Sequence, residues 1–175
     1  MQCPACQLTL LKPVKLEPSL MARKCTHCEG VLIDLLSYRA WRENMPDCEL
    51  PELMEVEDRK GALICSKCQH FMLKYKICDE HENFIDVCTH CDEAWLDEGE
   101  WQLLGALLMQ DKLTKIFTEP WQRKIRQDRV EADQRARNQA LLGELDYQEA
   151  ERITQWINDH PKKEDLIRIL FHQNH

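Results

Sequence analysis

Eight of the ten cysteines in this chain stand in four C-x2-C pairs: Cys3/Cys6, Cys25/Cys28, Cys65/Cys68 and Cys88/Cys91. Two such pairs supply four thiolates, and four thiolates satisfy one tetrahedral ion. The gaps between successive pairs, 18 residues from Cys6 to Cys25 and 19 from Cys68 to Cys88, fit a zinc site. The spacing predicts two Zn2+, one on Cys3, Cys6, Cys25 and Cys28 and one on Cys65, Cys68, Cys88 and Cys91. A four-cysteine set leaves no coordination position for water or substrate, so its metal holds the chain together. Metal-linked folding of this kind contributes on the order of 10 kcal/mol or more.

Iron is the chemical alternative, since four thiolates also hold a single iron atom, and an iron form would be an electron carrier. A ferredoxin cluster would space its cysteines differently. A thioredoxin-like C-x2-C would need a βαβ setting, which is not visible. His27 and His90 lie inside two of the pairs, as alternate ligands or as plain turn side chains. The second role needs nothing further, because four sulfurs already complete the site. Cys48 and Cys78 have no partner at ligand spacing and read as buried, inert thiols. No nucleophile–base motif, phosphate loop or dinucleotide fingerprint appears. The chain therefore reads as non-enzymatic, with no catalytic residue.

The elements that must position these cysteines repeat. Cys25, Cys28 and Asp34 map onto Cys88, Cys91 and Asp97 at a constant offset of 63, and Cys3 and Cys6 map onto Cys65 and Cys68 at 62. The chain is a tandem duplication. Within each copy, short β-rich runs predict a hairpin: 7–14 with 20–24 around Glu17-Pro18-Ser19, and 70–77 with 83–87 around the polar stretch 79–82. After each second cysteine pair the pattern turns helical. Asp34 and Asp97 suit helix N-caps, with Glu100 placed to reach back as the third residue of a capping box. An acidic catalytic pair of Asp97 and Glu100 is the competing reading. Trp95 is expected to pack beside the metal turn. No cysteine follows Trp101. A helix is predicted over 98–118 with Trp101, Leu104 and Leu108 on one face. A second opens at Pro120, and a third is capped by Asp146 with Glu149 and carries Ile153, Trp156 and Ile157. A last one follows Pro161 with Leu166, Ile167, Leu170 and Phe171.

These motifs resemble the bacterial zinc ribbons of the transcription factor IIB type, whose pattern is C-P-x-C, a hairpin, then C-x-x-C-x-G-x-W-L-D-x-G-E. The first copy has Cys3-Pro4-Ala5-Cys6 and Cys25-Thr26-His27-Cys28-Glu29-Gly30, but Leu32 in place of Trp and Leu36-Ser37 in place of Gly-Glu. The second has Ser66 in place of Pro and Glu93 in place of Gly, and keeps Trp95-Leu96-Asp97-Glu98-Gly99-Glu100. The resemblance covers about half the chain. It implies zinc on all eight cysteines and a transcription-linked or nucleic-acid-binding role.

Charge bears on partners. The net charge is −8, which disfavours a phosphate backbone. Residues 1–42 hold six bases against three acids, whereas 77–111 contain no Lys or Arg and ten acids. The basic residues Arg123, Lys124, Arg126, Arg129, Arg135 and Arg137 are the best nucleic-acid candidates. They alternate with Asp128, Glu131 and Asp133, as on a salt-bridged exposed helix. Ala132, Ala136 and Ala140 at steps of four permit close helix packing, within the chain or in a homodimer.

The expectation is a small metal-bound α+β fold: a first zinc ribbon over 1–45, an acidic Pro-containing linker over 46–60, a second ribbon over 61–105 and an all-α region over 106–175. A non-enzymatic adaptor or regulatory protein with a protein partner is the leading reading. A nucleic-acid-binding factor using 121–137 and the first ribbon is the alternative, and an iron electron carrier the third. With no secretory pattern and no long apolar run, the chain reads as soluble and cytoplasmic, without membrane contact.

Overall fold

The computed structural model describes residues 1–44 and 61–172; the acidic linker over 46–60, with Cys48, lies outside the described residues. The chain divides into two compact units, Met1–Arg126 and Gln127–His175.

The first unit is built on one antiparallel sheet of six strands in the order β1-β2-β3-β6-β5-β4. Strands β1 (Lys12–Glu17) and β2 (Leu20–Lys24) form the first hairpin. Its tip turns through Ser19 at φ 68°, a left-handed conformation that suits a tight turn. The first strand starts later than its β-rich pattern suggests, because Gln7 to Leu11 are used to close the cysteine turn. Strands β4 (Leu73–Lys76) and β5 (Phe84–Cys88) form the second hairpin.

The sequence pattern turns helical after each second cysteine pair, with caps at Asp34 and Asp97. Between the pair and the cap lies a strand that the pattern does not announce: β3 (Val31–Asp34) in the first copy and β6 (Glu93–Leu96) in the second. Both are almost wholly buried, so their apolar residues do not alternate and cannot be told from a helix start by period. They pair with each other, Val31 opposite Leu96, Leu32 opposite Trp95, Ile33 opposite Ala94 and Asp34 opposite Glu93. This seam joins the two copies into one sheet. Leu32 and Trp95 are also equivalent positions in the duplication, 63 residues apart. A local two-fold axis therefore passes through that pair.

The period of two divides the sheet into two faces. Val31, Ile33, Ile85, Val87, Ala94 and Leu96 point to one side, where they form a core with Tyr38, Trp41, Trp101, Leu104, Leu113 and Ile116. Leu32 and Trp95 point to the other, among the cysteines.

Helix α1 (Leu35–Glu43) begins at Asp34, whose Oδ1 accepts the Ser37 N–H at 2.7 Å. Its second-copy counterpart α2 (Glu100–Ala106) begins differently. Gly99, at φ 82°, is the cap residue. Asp97 instead accepts the Trp95 indole N–H at 2.9 Å, and Glu100, fully buried, accepts the Asp97 N–H at 2.8 Å. The expectation of an Asp97 cap is corrected on this point: the indole claims its carboxylate, while the reach-back of Glu100 is present.

The single helix predicted over 98–118 is also corrected. It breaks into α2, a 3-10 turn at Gln110–Lys112 and α3 (Leu113–Ile116). Leu108 takes φ 55°, and Leu108 and Met109 donate to Gly105 and Leu104. This is a Schellman ending in which leucine holds the left-handed position that glycine usually marks. Leu108 is consequently 62% exposed and absent from the buried face of Trp101 and Leu104. The fully buried Tyr38 hydroxyl spans the break, donating to the Gln110 carbonyl at 2.6 Å and accepting from the Leu113 N–H at 3.0 Å.

Helix α4 (Glu119–Leu142) carries Pro120 in its first turn, where a missing N–H costs nothing. Its first residues close the open edge of β4. The Gln122 amide accepts from the Lys76 N–H at 3.3 Å and donates to the Lys76 carbonyl at 2.9 Å, and the Trp121 indole donates to the Ile77 carbonyl. These bonds cover the edge at the end of the strand, at Lys76 and Ile77.

In the second unit α5 (Glu144–Asp159) is followed by α6 (Lys163–His172). The predicted Asp146–Glu149 cap is not made. Gly143, at φ 80°, separates α4 from α5, so Asp146 falls inside the first turn and Glu149 pairs with Arg152 at 2.6 Å. None of residues 127–171 is buried. Trp156 is 55% and Phe171 76% exposed.

Removing the Tyr38 hydroxyl strands two buried backbone groups. Tyr38→Phe is expected to lower stability by about 1–3 kcal/mol in denaturant unfolding, while leaving the fold intact.

Candidate metal centres

Each cysteine pair sits on a tight turn, and the four turns share one backbone device. The residue after the second cysteine is left-handed in every case: Gln7 at φ 55°, Glu29 at 56°, Gln69 at 62° and Asp92 at 56°. None is glycine, so composition gave no sign of it. The reversal turns the chain back on itself; Gln7 and Gln69 donate to the carbonyls of Cys3 and Cys65 at 3.1 and 2.9 Å. Backbone N–H groups then point at sulfur. Cys6 donates to Cys3 Sγ at 3.4 Å, Cys28 to Cys25 Sγ at 3.5 Å and Cys91 to Cys88 Sγ at 3.4 Å. Such donors stabilise thiolate over thiol.

The sheet brings the turns together in two sets. Cys3, Cys6, Cys25 and Cys28 form one, and Cys65, Cys68, Cys88 and Cys91 the other, with all ligand atoms of a set within 4.8 Å of one another. Cross-pair sulfur separations are 3.6 Å for Cys3–Cys28, 3.6 Å for Cys6–Cys25 and 3.4 Å for Cys68–Cys88. All eight are free thiols. A tetrahedral ion with metal–sulfur bonds of about 2.3 Å would set its sulfurs about 3.8 Å apart. The sulfur arrangement fits such an ion, and each set can hold one. Cys78 belongs to neither: it lies in the helix-side core, and burial pushes its thiol up.

The sulfur environments are uneven within each set. Burial pushes Cys25 up, but the N–H groups of Cys28 and His27 and the Thr9 hydroxyl, 3.1 Å away, outweigh it and bring it to about 6. The His70 N–H does the same for Cys68, at about 6. Burial raises Cys3, Cys28, Cys88 and Cys91. Each set thus holds one sulfur lowered towards thiolate, Cys25 or Cys68, beside two raised towards thiol, Cys3 and Cys28 or Cys88 and Cys91.

His90 does not reach into its set. It stacks on His70, a residue the sequence reading passed over, with centroids 4.9 Å apart, and both rings are exposed. His27 is exposed on its turn.

The two sets share one apolar cluster, whose members include Leu11, Leu32, Leu63, Met72 and Trp95. Trp95 is fully buried and lies on Gly30 of the other copy. A Cβ at Gly30 would sit 2.2 Å from Trp95 Cζ2. The first copy lacks the tryptophan and keeps the glycine; the second keeps the tryptophan and replaces the glycine with Glu93. The two departures are halves of one contact across the seam.

Charge is matched across the same seam. Glu93, 1% exposed, meets Arg23 of the first copy at 3.5 Å and Lys67 of its own copy at 3.4 Å. Asp92 takes both guanidinium nitrogens of Arg39, at 2.5 and 3.0 Å. Part of the contrast between a basic first copy and an acidic second is therefore spent inside the molecule. On α4, Arg123 and Arg126 approach Glu119 at 4.0 and 2.6 Å, in keeping with an ion-paired exposed helix. Among the described residues no helix is long and apolar enough to cross a membrane.

The chain matches no protein-family model, no curated protein and no solved structure.

Metal retention should depend on pH through the sulfurs. Protons compete with the ion at the raised thiols Cys3, Cys28, Cys88 and Cys91 throughout the neutral range, and at Cys25 and Cys68 as pH falls through about 6. Chelator competition across pH 5 to 8 is expected to show affinity falling over the whole range as pH is lowered, most steeply below about pH 6, and recovering when the pH is raised.

Proposed function

We propose that this protein is a non-enzymatic adaptor. Two structural zinc ions hold its first unit, and its C-terminal helices bind another protein. The carrying observation is a division of labour. All eight paired cysteines gather into two closed four-sulfur sets in the first unit, whereas the second unit buries no side chain among its described residues. Four sulfurs at this spacing suit zinc in a site without an open position, which supports folding and leaves no place for a substrate. The resemblance to zinc ribbons of the transcription factor IIB type agrees with a structural role for the metal.

Asp97 and Glu100 support the non-enzymatic reading. Their oxygens accept from Trp95, the Asp97 backbone and Asn83, all structural donors. The apolar residues of α5 and α6 support the partner. Trp156, Leu170 and Phe171 are more than half exposed, and amphipathic helices owe most of their stability to a covered apolar face. A protein partner is favoured over nucleic acid by the net charge of −8 and by the engagement of Arg123 and Arg126 with Glu119.

The test is affinity capture on the tagged full chain, with and without nuclease, beside metal analysis of the purified protein. The expected result is two zinc ions per chain and a defined protein that stays bound after nuclease. Trp156→Ala with Phe171→Ala is expected to release that protein without changing the zinc content. Release by nuclease, with affinity falling steeply in salt and depending on Arg123, Lys124 and Arg126, would overturn the reading in favour of nucleic acid. A coloured, iron-loaded protein would overturn the assignment of zinc.

A further inference from the structure

We infer that the two metal centres are thermodynamically coupled, so that an ion bound at one set of cysteines raises the affinity of the other. The inference rests on reading both sets as metal sites and goes beyond it.

The coupling route is short. Each set's last turn runs directly into a seam strand: Cys25 to Cys28 leads into β3, and Cys88 to Cys91 leads into β6. An ion that fixes a turn also fixes the start of the strand. In the first copy the Cys25 N–H donates to the Gly30 carbonyl at 2.9 Å, tying the position of Gly30 to that turn. Trp95, four residues beyond Cys91, lies on Gly30 with no room for a Cβ. A shift of either turn is therefore felt by the other through contact between rigid groups.

A second route runs the opposite way round the seam. Helix α1 follows β3 without a break, and its first residue, Leu35, donates to the Asp92 carbonyl at 2.9 Å. One turn further on, Arg39 holds the Asp92 carboxylate with two hydrogen bonds. Asp92 is the left-handed residue that closes the Cys88–Cys91 turn. The first copy thus grips the second site by backbone and side chain.

Metal binding in such a fold is linked to ordering of the chain. The first ion orders one half of the seam and presents a formed edge to the other half. The second ion then has less chain to order, and its affinity rises by the same factor whichever site fills first, because coupling is reciprocal.

Native mass spectrometry of the metal-free full chain titrated with zinc reads this directly. At half-saturation, two independent sites, alike or different, leave at least about half of the chains with one ion; fivefold coupling lowers that to about a third. The expected spectrum is dominated by chains with no ion and chains with two. Two variants that keep one set each, Cys3→Ser with Cys6→Ser and Cys65→Ser with Cys68→Ser, supply the affinity of each site alone. Judged against those affinities, a one-ion fraction at or above the value for independent sites, with two ions bound at excess zinc, would overturn the coupling and leave the metal reading standing. No zinc retained at any excess would overturn both. Gly30→Ala and, separately, Arg39→Gln should each raise the one-ion fraction towards half while both sites still fill. If both variants keep the wild-type distribution, the seam is not the route. A wild-type one-ion fraction well below half is read without any variant.

Discussion

The pairing of β3 with β6 is the constraint on which the rest of the first unit depends. Two equivalent strands of a duplicated chain lie antiparallel about a local two-fold axis, with Leu32 directly opposite its own counterpart, Trp95. Identical copies would place identical side chains against each other at that point. The chain resolves this by asymmetry. One large ring crosses the axis and lies on Gly30, and the residue equivalent to Gly30 is Glu93, with Leu32 at the position equivalent to the ring. The cost of a misfit there is high, because a buried interface packed at crystal density has no slack for even one methyl group.

Burial on both faces follows from that pairing. Strands buried on both sides lose the alternation that would announce them, and they gain the power to separate two cores. On the helix side an ordinary apolar core forms around Tyr38, Trp41 and Trp101, with Trp41 5.7 Å from Trp101 between ring centroids. On the other side the cysteines gather among few aliphatic residues, in two sets that could each hold a metal ion. Charge follows the same geometry. Arg23 and Arg39 of the first copy meet Glu93 and Asp92 of the second, so the uneven charge of the two copies is in part an internal match. Arg39 and Asp92 are both partly exposed, and the worth of that pair lies more in register and orientation than in stability; Glu93 is buried, with Arg23 reaching it from a partly exposed position.

The second unit obeys a different balance. Its helices have apolar faces at the right period and, among the described residues, no buried one, so their ordering is not repaid by burial there. That contrast separates a unit with a packed core and two four-cysteine sets from one whose described side chains all stay at least partly exposed, and it is the physical basis of the proposed partner.

The sequence by itself determined the two four-cysteine groups, the duplication and a hairpin in each copy, because turn and pair spacing act over a few residues. Cys3 to Cys91 could be sorted into two fours from their gaps alone, and Asp34 could be named a cap from its place. The helix break at Leu108 and the left-handed turns at Gln7, Glu29, Gln69 and Asp92 were not legible, because a left-handed residue leaves a mark in composition only when it is glycine. The seam was decided by the tertiary structure alone. Which strand meets which, and that Trp95 needs Gly30 rather than a residue of its own copy, depend on contacts between residues 65 positions apart in sequence. No local pattern encodes such a contact; it exists only once two buried faces have been brought together and the space between them has to be filled.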